Sequence, residues 1–451
     1  MRKVRVGPFC LPMMLFPQYF DMTKKAIPVF LIFFVLGTSL RAQSLTDAIK
    51  DGLSPLTDLV NGDISTDSVR SADKKDAEKK NVKAMTLKDG TVYVGEMKGK
   101  RPHGHGKAIY TNGDIYEGGF VKGRRNGYGE YRFKDGECYV GEFKEGHHHG
   151  EGVYTFSDGR KYTGKWEKDF QHGYGRMDYP NGDFYVGFWV EDERSGSGSY
   201  FFAGGASYVG EWKNDKRNGM GTFVWPDNSR YIGSWVDGKR SGHGVYTAAD
   251  STEYDGTWLN NLYDGNGTLS YANGDKYMGM FKAGEFNGHG KYTYADGSSY
   301  AGDFRNGARD GYGKMLFPGG AVYEGGWKDD LRCGKGKYTW GNGDVYEGDW
   351  KDDTMNGTGI MRKSNGVKYK GGFIDGLEHG AGVAEDKSGT RYEGTFENGM
   401  RHGKFIVKDK DGNVVRECVY NSGNAEQYQI KQYGYDFGFI EEFGLLQRTK
   451  S

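Results

Sequence analysis

Cysteine, proline and net charge are all scarce in this chain, and each scarcity excludes a class of protein. Four Cys among 451 residues cannot form a disulfide framework. Nine Pro beside 76 Gly exclude a collagen triple helix, which combines glycine at every third position with abundant proline. Basic and acidic residues number 61 each, so no excess of positive charge indicates a nucleic-acid partner.

Glycine and aromatic residues, by contrast, are abundant. The 76 Gly are more than twice the share of about 7% found in an average protein. Tyr, Phe and Trp make up 15% of the chain, far more than chains that cannot bury a core usually carry. The glycine is therefore expected to serve an ordered, aromatic-rich fold.

The N-terminus has the residue order of a secretory signal peptide. Lys24 and Lys25 precede an uncharged run from 26 to 40, and Ala42 follows at an expected cleavage site. We predict a signal peptide over residues 1–42, with translation starting at Met22, and export to a bacterial periplasm, cell envelope or the medium. The alternative is an uncleaved anchor at residues 26–40, although these fifteen residues fall short of the ~20 that span a bilayer.

A tyrosine recurs every 23 residues, fourteen times from Tyr93 to Tyr392, without any insertion. We call this tyrosine position 0 of a unit and count onward, so unit 1 begins at Tyr93 and unit 14 at Tyr392. Glycine fills positions 2 and 11 in all fourteen units, position 13 in thirteen and position 20 in twelve, and position 4 is aromatic in thirteen. Such a fixed period indicates a repeat architecture.

Each unit reads as two antiparallel strands. Positions 0, 2 and 4 alternate with polar or β-branched residues, and positions 11, 13, 15 and 17 share a face of a second strand. Asn-Gly or Asp-Gly at positions 19 and 20, as at Asn112-Gly113, predicts a type I′ hairpin turn. Asn228 and Ser251 replace that glycine, and Ser251 is expected to be strained.

The predicted fold class is therefore all-β: a single long, twisted antiparallel meander of β-hairpin repeats, with a short N-terminal tether and a C-terminal cap. At about 4.8 Å per strand it would extend roughly 130 Å. A single sheet has no second layer, so the glycines at positions 2, 11 and 13 are expected to leave room for neighbouring aromatic rings. The predicted segments are a charged linker at 43–84, the array at 85–424 and a capping segment at 425–451.

The motif Y-x-G-x-[WF], followed by G-x-G and an N-G or D-G turn, resembles the MORN repeat (membrane occupation and recognition nexus). The resemblance covers 93–414 and implies a scaffold that contacts proteins, dimerises in some members and is proposed to meet phospholipid membranes. MORN repeats also accompany phosphatidylinositol-phosphate kinase and SET domains. Because the residues outside the repeats are too few for either domain, and because the G-x-G strings belong to strands, no enzyme is expected.

A tryptophan at position 4 in five consecutive units gives the candidate interaction site. One interpretation is a filled core, and the other is a groove of partly exposed rings that binds an apolar peptide or stacks on sugars. The candidate residues are the position 0 and position 4 aromatics of units 4 to 8: Tyr162, Trp166, Tyr185, Trp189, Tyr208, Trp212, Tyr231, Trp235, Tyr254 and Trp258.

The run His147-His148-His149 is interpreted as structural rather than as a metal site. Position 10 is always His, Asn, Ser, Asp or Cys, which suggests a polar side chain bonded to the backbone of the connecting loop. No catalytic residue, cofactor or metal is predicted. The leading hypothesis is an exported, non-catalytic scaffold that binds a protein partner or itself, and also a phospholipid surface by resemblance. The alternative is a carbohydrate-binding protein that uses the aromatic stripe.

Overall fold

The structure is a computed structural model that describes residues 82–429, all within a compact unit at Asn81–Ser451. The predicted signal peptide, most of the linker and most of the capping segment lie outside the described residues. The strands are β1 (Val82–Thr86), β2 (Val92–Lys98), β3 (Arg101–Ile109), β4 (Ile115–Val121), β5 (Arg124–Arg132), β6 (Cys138–Lys144), β7 (His147–Thr155), β8 (Lys161–Glu167), β9 (Phe170–Asp178), β10 (Phe184–Val190), β11 (Glu193–Phe201), β12 (Ser207–Lys213), β13 (Lys216–Val224), β14 (Arg230–Val236), β15 (Lys239–Thr247), β16 (Glu253–Leu259), β17 (Leu262–Ser270), β18 (Lys276–Lys282), β19 (Glu285–Thr293), β20 (Ser299–Arg305), β21 (Ala308–Leu316), β22 (Val322–Lys328), β23 (Leu331–Thr339), β24 (Val345–Lys351), β25 (Thr354–Arg362), β26 (Lys368–Ile374), β27 (Leu377–Glu385), β28 (Arg391–Glu397), β29 (Met400–Lys408), β30 (Val414–Asn421) and β31 (Asn424–Gln429).

All 31 strands form one antiparallel sheet, in which each strand pairs with the next along the chain. The predicted all-β meander is therefore confirmed. Strand β1 begins at Val82, inside the predicted linker, and β31 ends at Gln429, inside the predicted capping segment. The loop between β21 and β22 contains a 3-10 turn at Pro318–Gly320.

The turns at positions 18 to 20 are not of type I′, so this prediction is wrong. In unit 1 the Gly113 amide donates to the Tyr110 carbonyl (3.0 Å), and the Tyr110 amide donates to the Asp114 carbonyl (2.9 Å). Within that loop only Gly113 has a positive φ, at 95°. This is the three-residue loop in which a type I turn ends on one left-handed residue. Asn112 is suited to it because its Oδ1 accepts from the Asp114 amide (3.0 Å).

The two-residue type I′ turns lie at the opposite ends of the strands, at positions 6 and 7. Asn260 and Asn261 show the pattern, with φ of 51° and 74°. Asn, Asp or Gly fills position 7 in most units because these residues enter the left-handed region most easily. At position 20 the two replacements also have positive φ, 66° at Asn228 and 73° at Ser251, and the serine is the less suited to it.

A tyrosine ring lying over two glycines forms the repeating element of the core. In unit 6 a Cβ on Gly221 would stand 2.3 Å from Tyr208 Oη, and one on Gly210 would stand 2.6 Å from it. The hydroxyl donates to the Glu211 carbonyl (3.0 Å), and the corresponding bond recurs from unit 1 to unit 13. The predicted role of glycine in making room for rings is therefore confirmed at positions 2 and 13.

Position 11 does not serve that purpose, so the prediction is wrong there. A Cβ on Gly219 would meet the Glu211 side chain on the other face instead of a ring. Its φ is 74°, and the position 11 glycine has a positive φ in every unit. The register between β12 and β13 shifts beside it, between Gly210 and Trp212. Glycine is favoured here because this one residue of the β-bulge adopts a left-handed conformation, which glycine enters at the least cost.

Indole and phenyl rings at position 4 complete the core. Trp212 meets the Tyr208 ring edge-on at 5.2 Å, and Trp235 of the next unit meets its other side at 5.5 Å. Interplanar angles of 88° and 83° give the edge-to-face geometry that aromatic quadrupoles favour. In units 2 to 13 each position 0 ring is thus held between two position 4 rings.

The residue at position 9 covers these rings from the side. In unit 3 it is His148, whose ring stacks on Tyr139 at 3.9 Å and is 8% exposed. Burial lowers the pKa of His148 to about 4, against the raising effect of the Asp169 carboxylate. Gln171, which holds the same position in unit 4, is also buried.

Replacing a position 13 glycine is expected to displace the tyrosine ring. We predict that Gly221→Ala lowers the free energy of unfolding by about 3 kcal/mol, because the new methyl group overlaps Tyr208 and the ring has no other space. Gly204→Ala is the matched control, since a Cβ there meets nothing within 4 Å. Urea denaturation followed by tyrosine and tryptophan fluorescence measures both. Equal effects of the two variants would show that the ring can move at little cost.

His148 predicts a stability that depends on pH. Its neutral form is favoured when folded, so its contribution is complete above the unfolded pKa of about 6.5 and is lost as the pH falls towards 4. The loss is up to about 3 kcal/mol. His148→Gln, which repeats the choice of Gln171 in unit 4, is expected to flatten this part of the profile, whereas His289→Gln, at an exposed histidine, is not. Hydrogen exchange of β6 and β7 amides from pH 4 to 7.5 gives the profile; a parallel decline in both variants would contradict the assignment.

Candidate functional site

The ten candidate groove residues all lie in the core of the sheet's inner face, which we define by positions 0, 2 and 4. The five tyrosines are 0% exposed, and the five tryptophans are between 3% and 7% exposed. The indole Nε1 donates to the position 13 carbonyl of the preceding unit, as from Trp212 to Gly198 (3.2 Å). The ring faces of these ten residues are therefore not accessible for stacking on a ligand. Binding by this set stays a prediction, and its burial favours the core interpretation.

Accessible rings on the inner face lie instead at position 17, which sequence reasoning had assigned only to the shared strand face. Six of these rings pack against the position 15 ring of their own unit, as Phe202 does against Tyr200 at 4.5 Å, and the other four pack against the position 15 ring of the next unit, as Tyr179 does against Tyr200 at 5.8 Å. Phe202 is 37% exposed and the others are half-buried. We call this row the aromatic ridge: Tyr110, Phe133, Phe156, Tyr179, Phe202, Trp225, Tyr271, Tyr294, Phe317 and Trp340.

Carboxylates at position 21 fix the base of the ridge. Asp183 Oδ1 accepts from the Ala203 amide (2.8 Å), and its Oδ2 accepts from the Tyr200 hydroxyl (2.9 Å). Asp275 makes the same two bonds further along the array, to Ala295 and Tyr292. The backbone amide bond lowers the pKa of each of these carboxyl groups, so they stay ionised and the loops stay in place.

Arginines at position 9 form a second row on the inner face. Arg194, Arg309 and Arg332 each lie over the position 4 indole of the next unit, at 4.4, 4.3 and 4.4 Å from the ring centre. Each also donates through Nε to the position 7 aspartate of that unit, at 2.8, 2.8 and 2.9 Å. These side chains are about one-fifth exposed, so cation–π contact and ion pairing together close the core.

A cleft of about 490 Å³ opens between this row and the ridge in units 2 to 6. Its lining combines ridge rings, core rings and charged groups, including Phe156, Tyr179, Trp166, Gln171, Arg194 and Asp215. Aromatic rings line one side of this cleft and hydrogen-bonded charged side chains line the other. The cleft is therefore an amphipathic channel that runs across the strands, and we call it the channel. An extended chain with apolar and polar side chains fits this lining better than a small cofactor does.

The histidine run does not converge on one point. His147 Nδ1 lies 2.6 Å from Asp169, while His148 is buried in the aromatic core. Among residues 82–429 no group of three or more His, Cys, Asp or Glu side chains is placed to hold a metal ion. The predicted role of position 10 is confirmed in three units, where Asn126, Ser241 and Asp264 accept from the amide at position 6 of the next unit.

The part of the chain that the structure describes contains no helix long and apolar enough to cross a membrane.

Comparison with known proteins gives a family and only weak structural likenesses. No curated protein matches the chain. The TCP domain of Drosophila melanogaster SAS-4, in complex with a proline-rich motif, is 17% identical over 34% of this chain and 90% of its own, with a TM-score of 0.22. The Danio rerio CPAP TCP10 domain, in complex with a STIL peptide, is 12% identical over 58% and 96%, with a TM-score of 0.18.

A virginiamycin B lyase from Staphylococcus aureus is 13% identical over 69% of this chain and 90% of its own, with a TM-score of 0.11. None of these likenesses supports an argument about function. The family model of the MORN repeat matches fourteen consecutive segments, which are 93–115, 116–138, 139–159, 162–184, 185–207, 208–230, 231–253, 254–276, 277–299, 300–322, 323–345, 346–368, 369–391 and 392–404. Because these segments cover more than half of the chain, the protein belongs to the MORN repeat family.

Proposed function

We propose that this MORN repeat protein is a non-catalytic scaffold whose inner face binds an extended segment of a protein partner. The observation that supports the proposal is the aromatic ridge beside the cleft. Ten half-buried or exposed rings lie in one row on the described part of the sheet. Aromatic residues and arginine are enriched in protein interfaces, and both line this channel.

The repeat makes the channel suited to an extended segment. Successive units place equivalent rings two strands apart, which corresponds to about 9.6 Å. An extended chain that crosses the strands advances about 3.3 Å per residue, so every third side chain meets an equivalent position. Tyr200 and Tyr292, two of the rings under the ridge, are held by hydrogen bonds from their hydroxyls to Asp183 and Asp275. Little conformational entropy is then lost on the scaffold side when a partner binds.

Absence of catalysis is part of the proposal. On the inner face Asp183, Asp275, Arg194, Arg309 and Arg332 are all bonded to other groups of the chain. The G-x-G strings lie in strands, where glycine makes room for a ring or forms a bulge, and a phosphate-binding loop would instead join a strand to a helix. The carbohydrate alternative depends on the five-tryptophan stripe, whose ring faces are buried. Protein binding is therefore the function that we propose.

Export of the scaffold is a second part of the proposal, and it is supported by the sequence of residues 24–42. Removal of residues 1–42 takes away six basic residues and one acidic residue, which leaves a mildly acidic chain. That charge does not favour acidic phospholipid, so membrane contact is supported only by the family resemblance.

Loss of a ridge ring is expected to weaken peptide binding without weakening the fold. We predict that Phe202→Ser lowers the affinity for dodecapeptides selected on the full chain from a random phage library by about tenfold, as for an interface hot spot. Phe188→Ser is the matched control, because Phe188 is 48% exposed on the outer face. Isothermal titration calorimetry gives both affinities. Equal losses, or selected peptides that bind neither face, would contradict the proposal.

The export hypothesis predicts a mature protein that begins at Gln43. Edman sequencing or mass spectrometry of the protein isolated from its native cells identifies the first residue. Retention of Met1 or Met22 would contradict export through a cleaved signal. Replacing Phe33 and Phe34 in the apolar run with Asp is expected to keep the full-length precursor inside the cell.

A further inference from the structure

One variation along the arginine row stands out against the regularity of the sheet. Arg194, Arg309 and Arg332 each donate Nε to an aspartate carboxylate at position 7 of the next unit. Each also donates Nη2 to the backbone carbonyl of that aspartate, at 3.0, 3.0 and 2.7 Å. In this arrangement the guanidinium is satisfied by one carboxylate, one carbonyl and one indole face.

Arg217 and Arg240, in the consecutive units 6 and 7, have the same pose without the carboxylate. They lie over Trp235 and Trp258 at 4.4 and 4.2 Å, and Nη2 of each donates to the position 7 carbonyl at 3.2 Å. Position 7 is Gly238 after Arg217 and Asn261 after Arg240. Within residues 82–429 neither guanidinium has a carboxylate within ion-pairing distance.

Both guanidiniums therefore carry uncompensated charge beside the aromatic core. Burial lowers the pKa of Arg217 and of Arg240, and the Arg240 charge lowers that of Arg217 further. A half-buried guanidinium has five donors, of which the carbonyl takes one. In the units of Arg194, Arg309 and Arg332 one aspartate carboxylate binds the guanidinium. Such a charge-assisted hydrogen bond is about twice as strong as a neutral one.

We propose that Arg217 and Arg240 form a binding site for two carboxylates of an acidic segment in a protein partner. The site rests on the proposed function, because the segment continues along the aromatic ridge from the cleft of units 2 to 6. Its carboxylates take the electrostatic place that Asp215, Asp330 and Asp353 fill in other units. Beside Arg217 that place is open, since a Cβ on Gly238 would meet nothing within 4 Å.

The geometry also sets the spacing of the two acidic residues. Arg217 lies on β13 and Arg240 on β15, so equivalent atoms are separated by two strand spacings, about 9.6 Å. An extended segment covers this distance in three residues, about 10 Å. The partner is therefore expected to carry Asp or Glu at positions i and i+3, with an apolar residue between or beside them that meets Phe202 or Trp225 on the ridge.

A variant that supplies the missing carboxylates tests the proposal without removing any core residue. Gly238→Asp combined with Asn261→Asp restores the pattern of the sister units. Both backbones suit aspartate, because φ is 81° at Gly238 and 74° at Asn261, close to 63° at Asp215 and 68° at Asp330. The double variant is expected to fold, because Asp215 and Asp330 hold the same position with positive φ, and urea denaturation of both proteins checks that loss of binding does not reflect unfolding.

The probes are dodecapeptides selected from a random library on the full chain, each with a twin in which Glu or Asp is changed to Gln or Asn. We expect enrichment of acidic pairs at i and i+3. We also expect the twin to bind the parent at least about tenfold more weakly, and the double variant to bind the acidic peptide more weakly by a similar factor. Asp215→Asn, which frees Arg194 one repeat before Arg217, is the converse control and is expected to strengthen binding of acidic peptides that carry a further carboxylate three residues away from the pair.

Three outcomes would overturn the inference, and they are distinguishable from failure of the proposed function. Selected peptides that bind in a Phe202-dependent manner without acidic enrichment, or equally to the twin and the double variant, leave the scaffold function intact and contradict the acidic site. If inorganic phosphate at low millimolar concentration displaces the acidic peptide, Arg217 and Arg240 form a site for free anions instead. Sedimentation with phosphatidylglycerol vesicles that depends on Arg217 and Arg240 assigns it to a lipid surface. If no peptide binds the inner face, the proposed function itself fails.

Discussion

The close contact between a tyrosine ring and two glycines is the constraint on which the rest of the sheet depends. In units 1 to 13 the ring lies over positions 2 and 13, where a Cβ would stand within 3.0 Å of it, and its hydroxyl donates to the carbonyl at position 3. With the tyrosine lying flat against its own strands, the position 4 rings can pack edge-on from both sides. A single-layer sheet thereby gains a buried core without a second layer, which sheets usually require.

The 23-residue period of the sequence made the strand order predictable. The turn type was not predictable, because the Asn-Gly or Asp-Gly dipeptide at positions 19 and 20 is compatible with two different turns. Asn-Gly suits both a type I′ turn and the end of a type I loop with one left-handed residue. Asn112 Oδ1 bonds the Asp114 amide and Asp114 binds the next hairpin end, so the longer loop is selected by contacts between units. Position 11 was misjudged for a related reason: its glycine serves a bulge, and bulges leave no periodic signal of their own.

The sequence predicted which face of the sheet carries the aromatic residues, but it did not predict which of these residues are accessible. Alternation placed the tryptophans on the inner face, yet their exposure depends on what lies beside them. Arg194 covers Trp212 from position 9, and the neighbouring position 0 tyrosine covers its other side. The ridge, in contrast, lies at the strand end, where Phe202 packs against Tyr200 and is still 37% exposed. Burial follows from these three-dimensional neighbours, which differ between positions of equal hydrophobicity.

Because the backbone geometry repeats from unit to unit, a single substitution can change the charge of one unit without changing its fold. Position 7 shows this most clearly, because its backbone stays left-handed whether it holds Asp215, Gly238 or Asn261. The turn accepts all three, so charge at this position can change without any change in fold. Unit 14 follows the same logic in the core, where Phe405 replaces the position 13 glycine. Its ring fills the space above Gly394, is 0% exposed, and packs against Phe396 and Tyr420. At the end of the array a phenylalanine ring can therefore replace the contact between a tyrosine ring and the position 13 glycine. In the other units the fold stays the same, and the charge at position 7 differs between binding surfaces that a partner contacts.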